Sequence, residues 1–354
     1  MILIVIIQEF VTNESPPRVS VIIVNLNRVK LLAECLGSLE RQSFRDFEMI
    51  VVDNGSEDGS AGWVAENFPQ AQLIANGTNR GFCEANNQGF AVARGEYFAL
   101  LNNDAVADTE WLGRLVETAE AHPECGMVGS KIYVHGTKSV IDKVGHLIYW
   151  DGQNRGRGAG EIDMGQYDGD LEILWPDGCA ALYRRAMIEQ CGGFDEDFFA
   201  YADDAELGLR GRQFGWSARL APGSFVHHHR GATMGKYNLA RIHLIERNRV
   251  WLALLHFPLW LLLLNPFFFL LRLVASLFAS IEGEGEAAHF RGLRAKMELG
   301  VALWKADWAA MCGLGRMWRK RRNISSRRKL DDGALFSLLL RYRMTLAELT
   351  RNRA

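Results

Sequence analysis

The chain has 354 residues, of which 48% are hydrophobic, and a net charge of −2. This length is enough for one large core, or for one core with an appended region. The near-neutral total gives no indication of nucleic-acid binding. Six cysteines without a C-x-x-C pair argue against a zinc site or a disulfide framework, and they predict a reduced, cytosolic chain.

The charge is distributed unevenly along the chain. From Glu284 to the C-terminus there are 16 Lys or Arg and 7 Asp or Glu, so the remainder is acidic. A basic tail on an acidic body predicts contact with an anionic surface, and a solvated helical face is the alternative.

The first ten residues, MILIVIIQEF, are apolar but lack the basic start and the cleavage site of a signal peptide. They are also too few to span a bilayer. Residues 1–17 are therefore predicted to be an N-terminal extension, either an added strand or an ill-ordered segment.

Strand and helix patterns alternate from residue 18 onwards. The runs VSVIIVN, FEMIVVD, AQLIA and YFALL are apolar strands, and the segments between them have apolar residues at helical spacing. This alternation predicts an α/β fold with a mostly parallel sheet and helices on both faces.

Polar side chains follow two of these strands. Asp53 ends FEMIVVD, and Asn102, Asn103 and Asp104 follow YFALL. Because ligands of open α/β sheets lie beyond the carboxyl ends of the strands, a ligand site is expected there. Local turn hydrogen bonds are the alternative for any single cluster.

An apolar segment of 22 residues without Lys, Arg, Asp or Glu runs from Val250 to Leu271, interrupted by Pro258 and Pro266. As a helix it would be about 33 Å long. Basic residues flank both ends, which favours a helix lying in the membrane surface over a single span. A span, or a buried core or dimer helix, stays an alternative. Residues 241–354 are predicted to be a hydrophobic and basic helical region.

Several motifs in order resemble those of family 2 glycosyltransferases, and the closest branch is the bacterial rhamnosyltransferase-like one. The motifs are VSVIIVNLNR, FEMIVVDNGSEDGS, NRGFCEANNQGFAVARGEYFALLNND and GGFDEDFFAYADDAELGLRGRQFGW. The resemblance runs from about residue 18 to residue 235. It implies the GT-A fold, a Rossmann-like nucleotide-sugar-binding domain, over residues 18–240.

The resemblance also implies a metal site. The family's D-x-D motif falls on Asn102, Asn103 and Asp104, with Asn102 in place of the first carboxylate. Asp104 would then hold Mg²⁺ or Mn²⁺ against the donor diphosphate. VHHHRGAT resembles a later metal-ligand motif, where register favours His228. His227, His229 or a purely structural histidine cluster stay open.

By the same resemblance, a further set of residues lines the nucleotide-sugar pocket. These residues are Asn25, Asn27, Asp53, Asn54, Asn79, Arg80, Gly81, Asn102 and Asn103.

The family's paired acid motif maps to Asp203 and Asp204, where Asp203 replaces the usual Glu. Asp204 would be the general base of an inverting displacement, and a helix-capping carboxylate is the alternative for this pair. Trp175 and Asp177 in WPDG would line the acceptor side, and core packing is the alternative for Trp175.

These expectations together describe an inverting glycosyltransferase. It would move a sugar, with rhamnose from dTDP-rhamnose as the leading donor, onto a lipid-linked glycan or another cell-envelope acceptor. The expected location is the cytoplasmic face of the plasma membrane, peripheral or monotopic, on an anionic lipid surface. No nucleic acid is expected, and a homodimer stays open.

Three other functions fit the sequence less well. A processive polysaccharide synthase would carry a Q-x-x-R-W motif, which RGRQFGW does not supply. A sugar nucleotidyltransferase would have a Gly-rich phosphate loop after the first strand, where this chain has VNLNR. A non-catalytic nucleotide-sugar-binding membrane module would not need both Asp104 and Asp204.

Overall fold

The computed structural model describes residues 15–350, except for 138, 170, 231–237 and 282–291. Most of the predicted N-terminal extension, residues 1–14, lies outside the described residues. So does the part of VHHHRGAT that follows Arg230.

The described strands are β1 Val19–Asn25, β2 Phe47–Asp53, β3 Gln72–Ala75, β4 Tyr97–Leu101, β5 Ala105–Ala107, β6 Cys125–Val134, β7 Ile141–Lys143, β8 His146–Ile148, β9 Asn154–Gly156, β10 Ala180–Arg184 and β11 Ser217–His228. The described helices are α1 Val29–Glu40, α2 Ser60–Asn67, α3 Gly81–Val92, α4 Trp111–Ala121, α5 Arg185–Cys191, α6 Asp203–Gln213, α7 Leu239–His256, α8 Leu259–Ile281, α9 Leu293–Arg327, α10 Asp332–Arg341 and α11 Leu346–Thr350.

The main sheet has the strand order β3-β2-β1-β4-β10-β6-β11-β5, with β7 added to β6. The first four strands are parallel, and Asn25 pairs with Asp53 at the end of the β1–β2 ladder. Strand β10 is antiparallel to both β4 and β6. The predicted α/β class is confirmed, but the other half of the sheet is mixed: β6 and β11 are parallel to each other, whereas β5 pairs antiparallel with β11 and β7 pairs antiparallel with β6. Strand β10 follows a long irregular segment, which can return the chain in the antiparallel direction without a crossover helix.

Helices cover both faces of the sheet because side chains alternate along each strand. Val21 and Ile23 of β1 pack in one buried cluster with Leu36 of α1, whereas Ile22 packs in the other with Phe90 of α3. All of β4 is buried, as the uninterrupted apolar run YFALL predicts.

The C-terminal region is helical, as predicted, and α7 packs along α9. The side-chain amide of Asn248 on α7 donates hydrogen bonds to the carbonyls of Phe198, Ala200 and Tyr201, which immediately precede α6. Helix α7 therefore fixes the backbone from which α6 begins.

One helix in the described part of the chain, Leu259–Ser280, is long and apolar enough to cross a membrane. Pro266 lies inside this helix, α8, rather than ending it. Only 11% of its most apolar window is buried against the rest of the protein, so most of the helix faces outward.

Candidate active site

The ends of β1, β2 and β4 bring three amide and carboxylate side chains together. Asn25 donates from Nδ2 to Asp53 Oδ2 at 3.0 Å, and Asn103 donates from Nδ2 to Asn25 Oδ1 at 2.7 Å. The backbone N–H of Ser56 donates to the other oxygen of Asp53 at 2.9 Å. These bonds hold Asp53 as a hydrogen-bond acceptor at the rim of the sheet. Asn27, in left-handed backbone conformation, lies in the next turn.

Asn54, which directly follows β2, forms hydrogen bonds with the turn between β3 and α3. Its Nδ2 donates to Asn79 Oδ1 at 3.0 Å, and its Oδ1 accepts from the backbone N–H of Arg80 at 3.0 Å. Gly81 has φ of 85°, and a Cβ there would come within 2.5 Å of the Phe199 ring. Glycine is therefore required where the start of α3 meets the loop before α6. The Arg80 guanidinium pairs with Glu84 on α3.

Asp104 faces a histidine from the far end of the main sheet. Because β11 pairs with β5 directly after Asp104, His228 Nε2 lies 3.3 Å from Asp104 Oδ1. Its Nδ1 lies 2.7 Å from Asp142 Oδ2, and Arg230 pairs with the other oxygen of Asp142. An imidazole held by a carboxylate on one side, with its other nitrogen beside a second carboxylate, is the usual surrounding of a metal-binding histidine.

Asp104 Oδ1 and His228 Nε2 are suitable ligand atoms for a divalent cation. An oxygen and a nitrogen separated by 3.3 Å are close enough to bind one ion at the usual bond length of about 2.0–2.2 Å. Burial disfavours charge on His228, but its hydrogen bonds to Asp104 and Asp142 outweigh that effect and raise its pKa to about 9. The position therefore favours a positive charge, which a proton or a metal ion can supply.

The neighbouring histidines have different surroundings. The ring of His227 packs beside Tyr133, and His229 lies 3.3 Å from Glu34 and stacks on His135. Among the described residues, His228 is the one histidine of the three whose ring contacts the Asp104 carboxylate.

Asp203 and Asp204 begin α6, after a loop with left-handed backbone at Phe199, Tyr201 and Ala202. Burial raises the pKa of Asp203 to about 8, and the adjacent Asp204 adds to the rise. Burial also raises the pKa of Asp204, although nearby cationic groups oppose it. Both carboxyls are therefore easier to protonate than ordinary aspartates.

Asp204 Oδ2 lies at the edge of a second polar cluster. It is 3.4 Å from His146 Nε2 and 3.4 Å from the backbone N of Gly178. The same His146 nitrogen is 2.9 Å from Asp177 Oδ2, which also accepts from Lys143 Nζ at 2.5 Å. Burial opposes ionisation of Asp177, but Lys143 and His146 hold its pKa well below the ordinary value.

Trp175 is fully buried, and its ring stacks on that of His146 at 5.5 Å between centroids. The ring face is therefore not available to stack on an acceptor sugar, because it is packed in the core. The expectation that Trp175 lines the acceptor side is wrong: Trp175 packs against His146, whereas Asp177 lines the cavity.

A cavity of about 740 Å³ connects several of these groups. The sequence-predicted residues that line it are Asn54, Asn79, Gly81, Asn102, Asn103, Asp177, Asp203 and Asp204. The cavity-lining residues do not include Asn25, Asn27, Asp53, Arg80, Asp104, Trp175 or His228. Asp104 and His228 adjoin the cavity through Asn103 and Asp142, both of which line it.

Sequence reasoning missed Asp142, Lys143 and His146. They lie in IDKVGHLI, between β6 and the glycine-rich loop, where the pattern of strands and helices becomes irregular. The sequence signal that could have indicated these site residues is the presence of two charged residues and a histidine inside a short segment rich in β-branched residues.

The family described as glycosyl transferase family 2 matches residues 20–192. The matched residues include Asn25, Asp53 and Asn103 at the strand ends, and Asp177 with its partners Lys143 and His146. Residues 20–192 form a glycosyltransferase family 2 domain, and the chain is a glycosyltransferase. The residues matched end before α6, so the positions of Asp203 and Asp204 rest on the structure rather than on that match.

Two curated relatives illustrate the resemblance. The N-acetylglucosaminyl-diphospho-decaprenol L-rhamnosyltransferase of Mycobacterium tuberculosis is 26% identical over 226 residues, which are 58% of this chain and 74% of the relative. The O-antigen biosynthesis protein RfbC of Myxococcus xanthus is 29% identical over 253 residues, which are 69% of this chain and 19% of that protein.

Solved glycosyltransferases share the fold, which confirms the expected GT-A architecture. A mannosyltransferase from Pyrobaculum calidifontis in complex with GDP-Man and Mn²⁺ has a TM-score of 0.51 at 19% identity, covering 93% of this chain and 87% of that one. GalNAc-T7 with UDP, GalNAc and Mn²⁺ has a TM-score of 0.54 at 15% identity, covering 68% and 49%.

Proposed function

We propose that this glycosyltransferase transfers a sugar, with inversion, from a nucleoside diphosphate sugar to a lipid-linked glycan at the cytoplasmic face of the plasma membrane. The observation that carries the proposal is the shared cavity. It is lined both by Asn102 and Asn103 after β4 and by Asp203 and Asp204 at the start of α6. The residues proposed for the donor side and those proposed for the acceptor side therefore line the same space.

On the donor side, Asp53 would accept a hydrogen bond from the nucleotide base, and Asn25 would hold the Asp53 carboxylate in place through the 3.0 Å contact. Asn27, Asn54 and Asn79 belong to the same rim. A divalent cation, Mg²⁺ or Mn²⁺, would be held by Asp104 and His228 and would supply positive charge for the leaving diphosphate. Asp142 orients the His228 ring for that role through the 2.7 Å contact with Nδ1.

On the acceptor side, the ionised Asp204 carboxylate takes the proton of the attacking hydroxyl. The acceptor oxygen forms the new bond to the anomeric carbon while the bond from that carbon to the diphosphate breaks, and the nucleoside diphosphate leaves. Attack opposite the leaving group inverts the configuration. Asp203, Asp177 and His146 surround Asp204 and set its charge.

Rhamnose from dTDP-rhamnose is the proposed donor sugar. The support is the similarity to a mycobacterial protein named as an L-rhamnosyltransferase that acts on a decaprenol-linked substrate. The same name supports a polyprenyl-linked acceptor for this chain. Residues 18–240 form the proposed catalytic domain, and residues 241–354 the proposed membrane-associated region.

The decisive experiment measures donor binding and transfer separately, using a panel of nucleotide sugars with the full chain and membrane extracts. Asp204→Asn is expected to keep donor binding and to lose about 10²–10⁴-fold in transfer rate, the usual contribution of a general base. The matched control is Asp168→Asn, an exposed carboxylate paired with Lys131, which should transfer normally. Transfer at the wild-type rate by Asp204→Asn would remove Asp204 from the mechanism.

A further inference from the structure

The cavity at Asp204 has a second wall that the transfer reaction does not use. Helices α7, α8 and α9 close this side, and we call their contribution the helical wall. The name covers the aliphatic residues that they contribute, which are Ile242, Ile245, Leu273, Leu299 and Leu303; the same helices also place Arg241, Glu246, Arg249, Arg272 and Ser276 along the cavity. None of the aliphatic side chains can hydrogen-bond a sugar or a phosphate, so this part of the lining favours an apolar ligand.

Four buried charged residues beside the helical wall, Asp151, Glu246, Arg249 and Arg272, neutralise one another, and we call them the Arg272 cluster. Arg272 on α8 donates to Asp151 Oδ2 at 2.6 Å and to Glu246 Oε2 at 2.6 Å. Arg249 donates to the same Glu246 oxygen at 3.0 Å. All four side chains are buried. Two cations and two anions in mutual contact leave little net charge for an anion, which is a further reason to expect hydrocarbon here.

The same helices are apolar on their outer surfaces. On α8 the exposed residues include Leu263, Phe267, Leu270 and Leu277. On α9 they include Val301, Trp304, Trp308 and Met311, spaced three or four residues apart along one stripe. Helices α8 and α9 therefore contact the catalytic cavity on one side and present an apolar surface on the other.

We propose that the helical wall binds the hydrocarbon chain of the lipid-linked acceptor. The acceptor's sugar then lies at Asp204 while its lipid chain lies against α7, α8 and α9. This inference rests on the proposed function, since it takes the acceptor to be a lipid. It adds the subsite, its residues and the chemical class of its ligand.

The first test uses two probes with the same headgroup, dimethylallyl phosphate and farnesyl phosphate, titrated calorimetrically into the full chain in a fixed detergent. The wild type is expected to bind farnesyl phosphate at least about tenfold more tightly, because the longer chain buries more apolar surface. Equal affinity for the two probes overturns the proposal.

Variants locate the site. Leu299→Gln and Leu303→Gln should reduce the preference for farnesyl phosphate by about tenfold and leave donor binding unchanged. Val301→Gln is the matched control, because it lies between them in sequence but is 50% exposed. Loss of the preference in Val301→Gln to the same degree would assign binding to the outer surface and overturn the proposal.

Two further variants keep the result interpretable. Leu303→Trp fills the subsite without making it polar, so it should weaken farnesyl phosphate binding even if the glutamine variants fold poorly. Asp204→Asn should bind farnesyl phosphate as the wild type does. A chain-length preference without transfer to any lipid acceptor would contradict the proposed function and leave the subsite standing. Transfer to lipid acceptors at a rate independent of chain length would contradict the subsite alone.

Discussion

His228 Nε2 lies 3.3 Å from Asp104 Oδ1, although the two residues are more than a hundred positions apart in the sequence. The contact exists because β11 pairs with β5 immediately after Asp104. We expect Asp104→Asn and His228→Gln each to weaken Mn²⁺ binding in the presence of donor by more than about tenfold, and Asp142→Asn by about 10–100-fold. Titration calorimetry measures the change. His227→Gln, one residue away, is the control and should bind Mn²⁺ normally.

The same pair predicts how metal binding depends on pH. His228 has a pKa of about 9 in the folded protein, so it carries a proton at neutral pH that a metal ion must displace. Affinity should therefore rise as the pH increases towards 9 and level off above it. An affinity that is constant from pH 6 to pH 9 in the wild type would show that His228 does not bind the ion.

Asp203 predicts a pH dependence of stability. Its pKa is raised from 3.8 to about 8 on folding. The stability that it contributes is therefore full below pH 4 and is lost as the pH rises through 8. Asp203→Asn, which cannot ionise, should be more stable than the wild type at pH 9, with a melting temperature higher by at least about 2 °C. Thermal unfolding at pH 5 and pH 9 tests this, and Asp168→Asn should change neither value.

His146 is expected to act on Asp204 through its 3.4 Å contact. Burial raises the pKa of Asp204, and His146 opposes that rise. His146→Leu should therefore move the acid limb of the kcat/KM profile to higher pH and reduce transfer at pH 7 by about tenfold. His146→Gln, which keeps an N–H donor, should lie nearer the wild type. An unchanged acid limb in the leucine variant would limit His146 to packing against Trp175.

Replacing Arg272, a charged residue on the otherwise apolar helix α8, is expected to lower the stability of the folded protein strongly. Arg272→Met leaves Glu246 and Asp151 buried with fewer partners, which should reduce the free energy of unfolding by about 3–5 kcal/mol. Glu246, whose pKa Arg272 and Arg249 lower to about 2 against the opposing effect of burial, should then protonate at higher pH. Urea unfolding gives the comparison. Arg294→Met, in an exposed pair with Glu298, should have no measurable effect.

The outer surface of α8 should bind lipid. Leu263→Glu and Leu277→Glu place charge on exposed apolar positions and should reduce co-sedimentation with anionic vesicles several-fold. Met164→Glu is the matched control, because Met164 is also exposed but lies in the glycine-rich loop. If the three variants sediment alike, α8 is not the lipid-binding surface.

The elements nearest the donor side were readable from sequence because they obey local rules. The strand run before Asp53 is rich in β-branched residues, the run before Asp104 is aromatic and aliphatic, and polar residues follow both at one edge of the sheet. Strand β10 was not anticipated as an antiparallel partner of β4, because strand direction depends on the path of the preceding loop. The pairing of β11 with β5 is also tertiary, so only a resemblance, and no local pattern, pointed to His228.

The polar cluster around Asp204 was even harder to predict from the sequence. His146 and Lys143 reach Asp177 through β7 and β8, two three-residue strands whose existence depends on partners elsewhere in the chain. The sequence is compatible with Trp175 either stacking on a sugar or packing in the core, and its burial against His146 shows that it packs in the core.

The three hydrogen bonds that Asn248 donates to the loop before α6 connect the proposed general base to the region expected to attach the enzyme to lipid. A fragment ending at residue 240 would lose that amide and, with it, the support for the backbone that presents Asp204. Proteolytic release from the bilayer should therefore switch the enzyme off, and sugar transfer would be confined to protein that is still anchored beside its acceptor.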